Sequence, residues 1–152
     1  KFFSASGIDD IAFRFSANPG QEVRALSAIV SGGEASRIML AVKNVLSRVD
    51  TIPTLIFDEI DTGVSGKASL AIANKLKAIA GSHQVLCVTH TAQIAAASDR
   101  GFVLTKNVEN GNTETKCTVL DGTAKIEEVS RLLSGSSSES SLRLAEDLIK
   151  SF

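Results

Sequence analysis

The sequence predicts an α/β fold with a mainly parallel sheet flanked by helices, and three neighbouring segments carry this prediction. Two short apolar runs, residues 54–57 and 85–88, are separated by a stretch with helical periodicity at residues 67–80. A strand, a helix and a second strand in this order form a parallel crossover, the building block of a doubly wound sheet. Because residues 54–57 are uniformly apolar, we expect helices to cover that strand on both faces.

Two further patterns predict antiparallel or isolated strands. Residues 11–16 alternate between apolar and polar side chains, which is strand periodicity, and a turn at residues 18–20 ends them. Residues 102–108 and 113–120 flank Asn110 and Gly111, a dipeptide that favours a tight hairpin turn. We therefore expect an antiparallel hairpin at the edge of the sheet.

Helical spacing predicts three more helices. The first begins after Ser31 and ends before Pro53. Its predicted apolar stripe consists of Ile38, Val42, Val45, Leu46 and Val49. The second covers residues 124–133, and a serine-rich internal linker at residues 134–141 separates it from the last helix. We expect residues 1–152 to form a single domain.

Composition limits the classes of function. The chain has 152 residues, 43% of them hydrophobic, and a formal net charge of -1, which gives no global case for a basic nucleic-acid surface. The separated Cys87 and Cys117 resemble neither a metal site nor a disulfide framework, so a cytoplasmic setting is the simplest expectation. No membrane contact is expected. Because the first residue is Lys1 and the single methionine is Met39, we expect a fragment of a longer protein.

The first candidate site is the segment that opens the helix after Ser31. Ser31 and Glu34 have the spacing of a capping box, which by itself explains both residues as a structural helix start. A box does not explain Gly32 and Gly33, because glycine costs up to about 1 kcal/mol relative to alanine inside a helix. Glycines at a helix amino terminus let a phosphate approach the backbone amides, so a phosphate site is the functional alternative.

The second candidate site is the pair of acids after the apolar run at residues 54–57. Ligands of open parallel sheets bind outside the carboxyl ends of the strands, where Asp58 and Glu59 should lie. One carboxylate could hold Mg²⁺, and the other could activate the water that attacks a terminal phosphate. The structural alternative is an ordinary acidic loop after a core strand.

The third candidate is His90, which ends the next predicted strand and could donate a hydrogen bond to a transferred phosphate. A solitary histidine is more often structural, and we assign no role to His83. Residues 63–68, GVSGKA, only superficially match a phosphate-binding loop, because the spacing is too short and alanine follows the lysine. The sequence therefore contains no Walker A motif.

Taken in order, these motifs resemble the second half of an ABC-type ATPase head, a P-loop NTPase-like fold. The resemblance is carried by residues 31–41 (SGGEASRIMLA), 57–66 (FDEIDTGVSG) and 88–96 (VTHTAQIAA). They match the signature, Walker B with D-loop, and switch-histidine motifs. The match is closest to the RecN-like family, relatives of SMC proteins that act in bacterial double-strand-break repair. ABC transporters usually carry a different loop after the Walker B glutamate.

The resemblance implies a role for each site residue. Asp58 would hold Mg²⁺, Glu59 would be the catalytic base, and His90 would serve the same ATP. Ser31, Gly32 and Gly33, with Glu34 of the same motif, would contact ATP held by an opposite head, and Asp61 would lie in the D-loop at the head interface. Every residue in these roles is present at its motif position.

The family also implies partners. The Walker A motif would come from an amino-terminal segment of the same protein, beyond a long coiled coil, and two heads would form a homodimer around ATP. DNA would be engaged by the complete protein near the bacterial nucleoid. We expect this fragment alone to lack ATPase activity. The alternatives are a head of another SMC-like protein or of a transporter, and a non-catalytic interaction module.

Overall fold

A parallel pair of strands forms the centre of the fold. The computed structural model describes residues 5, 7–9, 11–16, 19–26, 31–47, 49–109 and 112–152. Strand β3 (Thr54–Phe57) pairs in parallel with β4 (Gln84–Cys87), and helix α2 (Lys67–Ala80) connects them. The register places Phe57 opposite Cys87, and the Val88 amide extends the pairing by donating to the Phe57 carbonyl at 2.9 Å. The predicted strand, helix, strand unit is confirmed.

The main hydrophobic core lies on one face of this strand pair. Leu55 and Phe57 point into it, and α2 covers them with the face that a 3.6-residue period makes apolar. Its other buried members are Leu40, Ile60, Ile72, Ala73, Leu76, Ile79, Ile94 and Ala97. The core is therefore built mainly from the crossover unit, with Leu40 from the helix after Ser31 and Ile94 and Ala97 from residues 92–97.

The opposite face of the strand pair is open, so the prediction that helices cover both faces was wrong for the described residues. Ile56 is 71% exposed, Leu86 is 46% exposed, and Val88 just beyond β4 is 59% exposed. Alternate residues of a strand point to opposite faces, which explains why Ile56 is exposed while its neighbours are buried. An apolar surface remains on this side of the sheet.

Helix α1 (Gly32–Leu46) ends earlier than the predicted limit at Pro53. After Ser47 the amides of Val49 and Asp50 both donate to the Leu46 carbonyl at 2.9 Å, which closes the chain into a turn. Asp50 stabilises that turn, because its carboxylate accepts a hydrogen bond from the Ile52 amide and pairs with Lys43 at 2.5 Å. The Lys43 contact holds the pKa of Asp50 below its usual value.

The predicted apolar stripe of α1 is mostly not the buried side of the helix. The helix buries Gly33 and Leu40. Exposed apolar residues of α1 and the following turn are Met39, Val42, Val45, Leu46 and Val49. Helical periodicity shows that the stripe is apolar, but it does not show whether another element of the fold covers it. A groove of about 380 Å³ between α1 and α2 is lined by apolar side chains that include Leu40, Val45 and Ile72.

The amino-terminal strand is shorter than predicted. Only β1 (Arg14–Phe15) is a strand within the predicted residues 11–16, and it pairs antiparallel with β2 (Arg24–Ala25). The predicted turn includes Pro19 and Gly20, while Asn18 lies outside the described residues. The apolar side chains of this ribbon, Ile11 and Phe13, are 78% and 73% exposed, so no described element covers them.

A long hairpin follows, as predicted. Strands β5 (Gly101–Glu109) and β6 (Asn112–Leu120) pair antiparallel along their whole length. Glu109 opposes Asn112, which leaves two residues for the connection, although Asn110 and Gly111 themselves lie outside the described residues. Among described residues the hairpin is a separate two-stranded sheet, so its predicted position at the edge of the parallel sheet was wrong.

Three carboxy-terminal helices form a second core. Helix α3 (Ala92–Ala97) packs between the two cores, and α4 (Gly122–Ser134) and α5 (Glu139–Lys150) pack against it. The second core contains Ala92, Ala96, Val129 and Ala145. Lys125 joins α4 to the end of α3 by donating to the Ala96 and Ser98 carbonyls. Within the described residues, no helix is long and apolar enough to cross a membrane.

The connection between α4 and α5 covers residues 135–138, so it is shorter than the predicted linker at residues 134–141. Helix α5 begins at Glu139, with Ser138 as its cap, because the Ser138 hydroxyl accepts from the Ser141 amide at 3.3 Å. Ser141 is buried and receives a hydrogen bond from the hydroxyl of buried Ser130 at 2.8 Å. These serines therefore join α4 to α5.

Candidate functional site

Two loops leave the same end of the parallel strand pair. The loop at residues 58–62 follows β3, and the loop at residues 88–91 follows β4. Because the strands are parallel and in register, both loops emerge at their carboxyl ends, the edge at which such sheets bind ligands. The predicted site residues Asp58, Glu59 and His90 therefore lie on adjacent loops.

Asp61 joins the two loops. Its side chain is 1% exposed, and its Oδ2 atom accepts hydrogen bonds from the Thr89 hydroxyl at 2.5 Å and from the His90 amide at 2.8 Å. Burial alone would raise the pKa of Asp61, but these two hydrogen bonds, with the nearby His90 ring, hold it below its usual value. Asp61 is therefore a buried, ionised carboxylate that links the two loops, and its place at a head interface stays a prediction from the family motif.

The start of α1 lies against the loop that follows β3. Ser31 caps the helix as predicted, because its hydroxyl accepts from the Glu34 amide at 3.2 Å. A β-carbon at Gly33 would lie 2.9 Å from the Glu59 carbonyl oxygen, and one at Gly32 would lie 2.6 Å from Glu59 Oε2. Both glycines thus permit a close approach of Glu59 within the same chain.

Two polar side chains of α1 fasten that approach. The Ser36 hydroxyl donates to the Asp58 carbonyl at 2.8 Å. The Arg37 guanidinium donates to the Ile60 carbonyl at 3.2 Å and to the Thr62 carbonyl at 2.9 Å. Sequence reasoning assigned neither residue to the site. Both residues lie one helical turn after the glycines, and residues three or four apart share a helix face. This spacing could have predicted that they face the same loop.

Glu59 has an unusual backbone conformation. Its φ of 58° places it in the left-handed region, and among the described residues no other non-glycine residue has a positive φ. Such a conformation costs of the order of 1–3 kcal/mol and persists only where the surroundings enforce it. Two contacts hold this conformation. The Glu59 amide donates a hydrogen bond to the Asp58 carboxylate at 2.9 Å, and the start of α1 packs against Glu59.

Asp58 is the candidate metal ligand. It is exposed, and one of its carboxylate oxygens is engaged with the Glu59 amide. Among the described residues, no three His, Cys, Asp or Glu side chains form a group that could hold a metal ion. Mg²⁺ is commonly bound by one or two carboxylates together with waters and substrate phosphates. One exposed carboxylate is compatible with Mg²⁺ where waters and phosphates supply the other ligands, and Asp58 as that ligand stays a prediction.

His90 presents an exposed ring at this end of the sheet. Its side chain is 70% exposed, while its Nδ1 atom lies 3.2 Å from Asp61 Oδ2. His83 is different, because it is buried and its Nδ1 atom lies 2.8 Å from the Ser82 hydroxyl. The structure therefore separates the two histidines of the chain by environment.

Comparison with known proteins gives consistent relatives. The chain is 47% identical to the DNA repair protein RecN of Deinococcus radiodurans over 146 residues, 96% of this chain and 26% of that protein. It is 44% identical to RecN of Treponema pallidum and 39% identical to RecN of Bacillus subtilis, each over 95% of this chain and 25% of the relative. No protein-family model matches the chain.

A solved structure from work on the structural biochemistry of SMC ATPases aligns with 67% of this chain and 60% of that chain. Its sequence identity is 22% and its TM-score is 0.45, too loose a superposition to carry an argument. The curated relatives carry the assignment instead, and the chain spans about a quarter of their length. Over the region that it matches, this chain belongs to the RecN family of DNA repair proteins.

Proposed function

We propose that this chain is the carboxy-terminal lobe of an ATP-hydrolysing head, and that the complete protein works in DNA repair. One observation carries the proposal: the acidic loop of Asp58 and Glu59, the loop of His90 and the capped start of α1 meet at the carboxyl end of the parallel strands. This is the edge at which open α/β sheets bind nucleotides. The repair context comes from the relatives, which are DNA repair proteins.

The chemistry follows from the three side chains on the two loops. Asp58 would hold Mg²⁺, which supplies charge neutralisation for the phosphates when bound. Glu59 would accept a proton from the attacking water, since its carboxylate is exposed and its backbone is fixed by the contacts with α1. His90 would donate a hydrogen bond to the phosphoryl group from its exposed ring.

The start of α1 would serve the ATP of a second head. Ser31, Gly32 and Gly33 present the amino terminus of a 15-residue helix, which carries partial positive charge. Glu59 Oε2 lies 2.6 Å from the position that a β-carbon of Gly32 would take. A phosphate reaching these glycines would therefore require the Glu59 side chain to turn away, which would link arrival of a second head to the position of the catalytic base.

The missing phosphate cradle would come from an amino-terminal Walker A segment of the same protein. The open sheet face formed by Ile56, Leu86 and Val88 supports such a partner, because contiguous exposed apolar residues mark interaction surfaces. DNA would be engaged through the complete protein, near the bacterial nucleoid. Of the three basic residues that could form a basic face after Ser31, Lys43 and Arg37 are occupied by contacts within the chain, and Arg48 lies outside the described residues.

The proposal is tested by Mg²⁺-dependent ATP hydrolysis. We expect no turnover from this chain alone, and turnover once it is joined to the Walker A segment of the same protein. Glu59→Gln should lower kcat at least about 100-fold, as expected for loss of a general base, while ATP binding persists. Glu139→Gln is the matched control, because its side chain is 83% exposed on α5 and far along the chain from the site.

Three outcomes would count against the proposal. Turnover by this chain alone that disappears in Glu59→Gln would show that no Walker A segment is needed. An assembled protein that binds no ATP would remove the ATPase assignment. An Ile56→Glu variant that assembles with the Walker A segment as well as the Leu144→Glu control does would remove the sheet face as the contact, since Leu144 is 63% exposed on α5.

A further inference from the structure

A buried carboxylate lies directly beneath the exposed imidazole at the site. The side chain of Asp61 is 1% exposed and that of His90 is 70% exposed, and the closest pair of atoms, Oδ2 and Nδ1, is 3.2 Å apart. Asp61 comes from the loop after β3, and His90 comes from the loop after β4. A charge on one loop is therefore placed against a ring on the other.

The position of the Asp61 carboxylate is fixed by two donors besides the ring. The Thr89 hydroxyl donates to Oδ2 at 2.5 Å and the His90 amide donates to the same atom at 2.8 Å. Thr89 is itself held, because its hydroxyl oxygen accepts from the Thr91 amide at 3.1 Å. Hydrogen bonds of this kind favour the ionised carboxylate, which agrees with the lowered pKa of Asp61.

We propose that Asp61 is a positioning residue for His90, which fixes the proton of the ring on Nδ1 and turns Nε2 away from the loop toward the nucleotide. This role rests on the proposed ATPase function, because His90 acts on nucleotide only there. An unprotonated Nδ1 would turn its lone pair toward the ionised Asp61 oxygen 3.2 Å away and be repelled by it, so the proton of the ring is favoured on Nδ1. A carboxylate partner of this type orients the ring and selects its tautomer.

The assignment changes what His90 can do. With the proton on Nδ1, a neutral ring offers Nε2 as an acceptor, so it can donate to a phosphate only as the imidazolium. The proposed donation to the phosphoryl group therefore depends on a proton at both ring nitrogens.

The tautomer can be measured directly by ¹⁵N NMR of this chain labelled at the imidazole nitrogens. The chain has two histidines, and Ser82→Ala identifies the His83 signals because the Ser82 hydroxyl contacts that ring. At a pH where both rings are neutral, we expect His90 to show a protonated Nδ1 and an unprotonated Nε2. The opposite tautomer in the unaltered chain would overturn the proposal, and this measurement needs no variant to fold.

Variants then identify the cause. Asp61→Asn should replace the single tautomer of His90 by an exchanging mixture, because a neutral amide no longer demands a donor at Nδ1. Thr89→Val keeps the carboxylate and should keep the Nδ1–H tautomer. Asp99→Asn is the matched control on an exposed carboxylate that pairs with Lys77. A folded Asp61→Asn chain with an unchanged His90 spectrum would also overturn the proposal.

Turnover of the assembled protein separates positioning from simple structural support. Asp61→Asn should lower kcat about tenfold to 100-fold, the usual effect of removing a carboxylate behind a functional histidine. In a His90→Gln background the same change should have little further effect, because the ring through which Asp61 acts is gone. Equal losses in both backgrounds would indicate a structural role. Absence of ATPase activity with the expected tautomer would fault the proposed function instead.

Discussion

Gly33 lies so close to the backbone of Glu59 that a β-carbon at position 33 requires one of them to shift. A β-carbon at position 33 would stand 2.9 Å from the Glu59 carbonyl oxygen and 3.2 Å from Thr62 Cβ. Gly32 faces the same loop, but the atom that it would meet is Glu59 Oε2, the end of a flexible side chain. The two adjacent glycines therefore differ in how well they tolerate substitution. A side chain at Gly33 meets fixed backbone, whereas one at Gly32 meets a side chain that can move.

Alanine at these two positions should separate stability from activity. We expect Gly33→Ala to lower the free energy of unfolding by about 1–3 kcal/mol, because backbone atoms must shift to admit the methyl group. Gly32→Ala should cost much less stability, yet it should lower turnover of the assembled protein by displacing the Glu59 carboxylate. Urea unfolding and ATP hydrolysis are the two measurements. Equal stability losses would contradict this distinction.

Arg37 should stabilise the loop at residues 58–62. Its two hydrogen bonds to the Ile60 and Thr62 carbonyls are charge-assisted, so Arg37→Ala should lower the free energy of unfolding by about 1–3 kcal/mol. Hydrogen exchange should then become faster at the amides of this loop. Arg143→Ala is the control, since Arg143 is 76% exposed and, among the described residues, pairs only with Glu139. Equal effects of the two substitutions would show that the carbonyl contacts contribute little.

The buried serine pair between α4 and α5 makes a further prediction. Ser141 is buried, receives a hydrogen bond from Ser130 and donates to the Ser136 carbonyl at 3.1 Å. Ser140, the adjacent helical residue, is exposed. Because helix propensity changes equally at both positions, Ser141→Ala should be less stable than Ser140→Ala by about 1–2 kcal/mol in urea unfolding. Similar midpoints for the two variants would show that the hydrogen bonds of Ser141 contribute little to the free energy of unfolding.

Local pattern was sufficient for the parts of the fold that depend on neighbours in sequence. The crossover unit from Thr54 to Cys87 and the Ser31 cap follow from periodicity and capping chemistry, and both are confirmed. The six-residue helix α3 was not predicted, because so short a segment has too few residues to show a period. The end of α1 was misplaced because Pro53 sets only the last possible position of a helix end.

Contacts between distant residues explain what pattern could not supply. The Asp61 carboxylate turns inward because Thr89 and His90, 28 and 29 residues later, donate to it. The exposure of Ile56 and of the Val45 side of α1 depends on which segments pack there, which no local period specifies. The roles of Ser31, Gly32, Gly33, Glu34, Asp58, Glu59 and His90 toward ATP remain predictions from the family motifs.

The two cysteines should differ strongly in reactivity. Burial, reinforced by the negative charges of Asp61 and Asp58, raises the pKa of the Cys87 thiol to about 12. Cys117 is exposed on β6. Since the thiolate is the reactive form, alkylation at pH 8 should modify Cys117 at least about 100 times faster than Cys87. Mass spectrometry of the labelled chain measures both rates, and comparable rates in folded protein would contradict the raised pKa of the half-buried Cys87.

The raised pKa of Cys87 should also make the free energy of unfolding fall at alkaline pH. Below about pH 8.5 the Cys87 thiol is neutral in both the folded and the unfolded chain, and its packing contributes fully to the free energy of unfolding. Above that pH the thiol ionises in the unfolded chain but stays neutral in the folded chain, whose thiol pKa is higher, so this contribution falls as the pH rises. The stability advantage of the unaltered chain over Cys87→Ala should therefore shrink as the pH rises from about 8 to about 10.5. Urea unfolding at several pH values measures it, with Cys117→Ala as the control. A difference independent of pH would show that Cys87 ionises equally in both states.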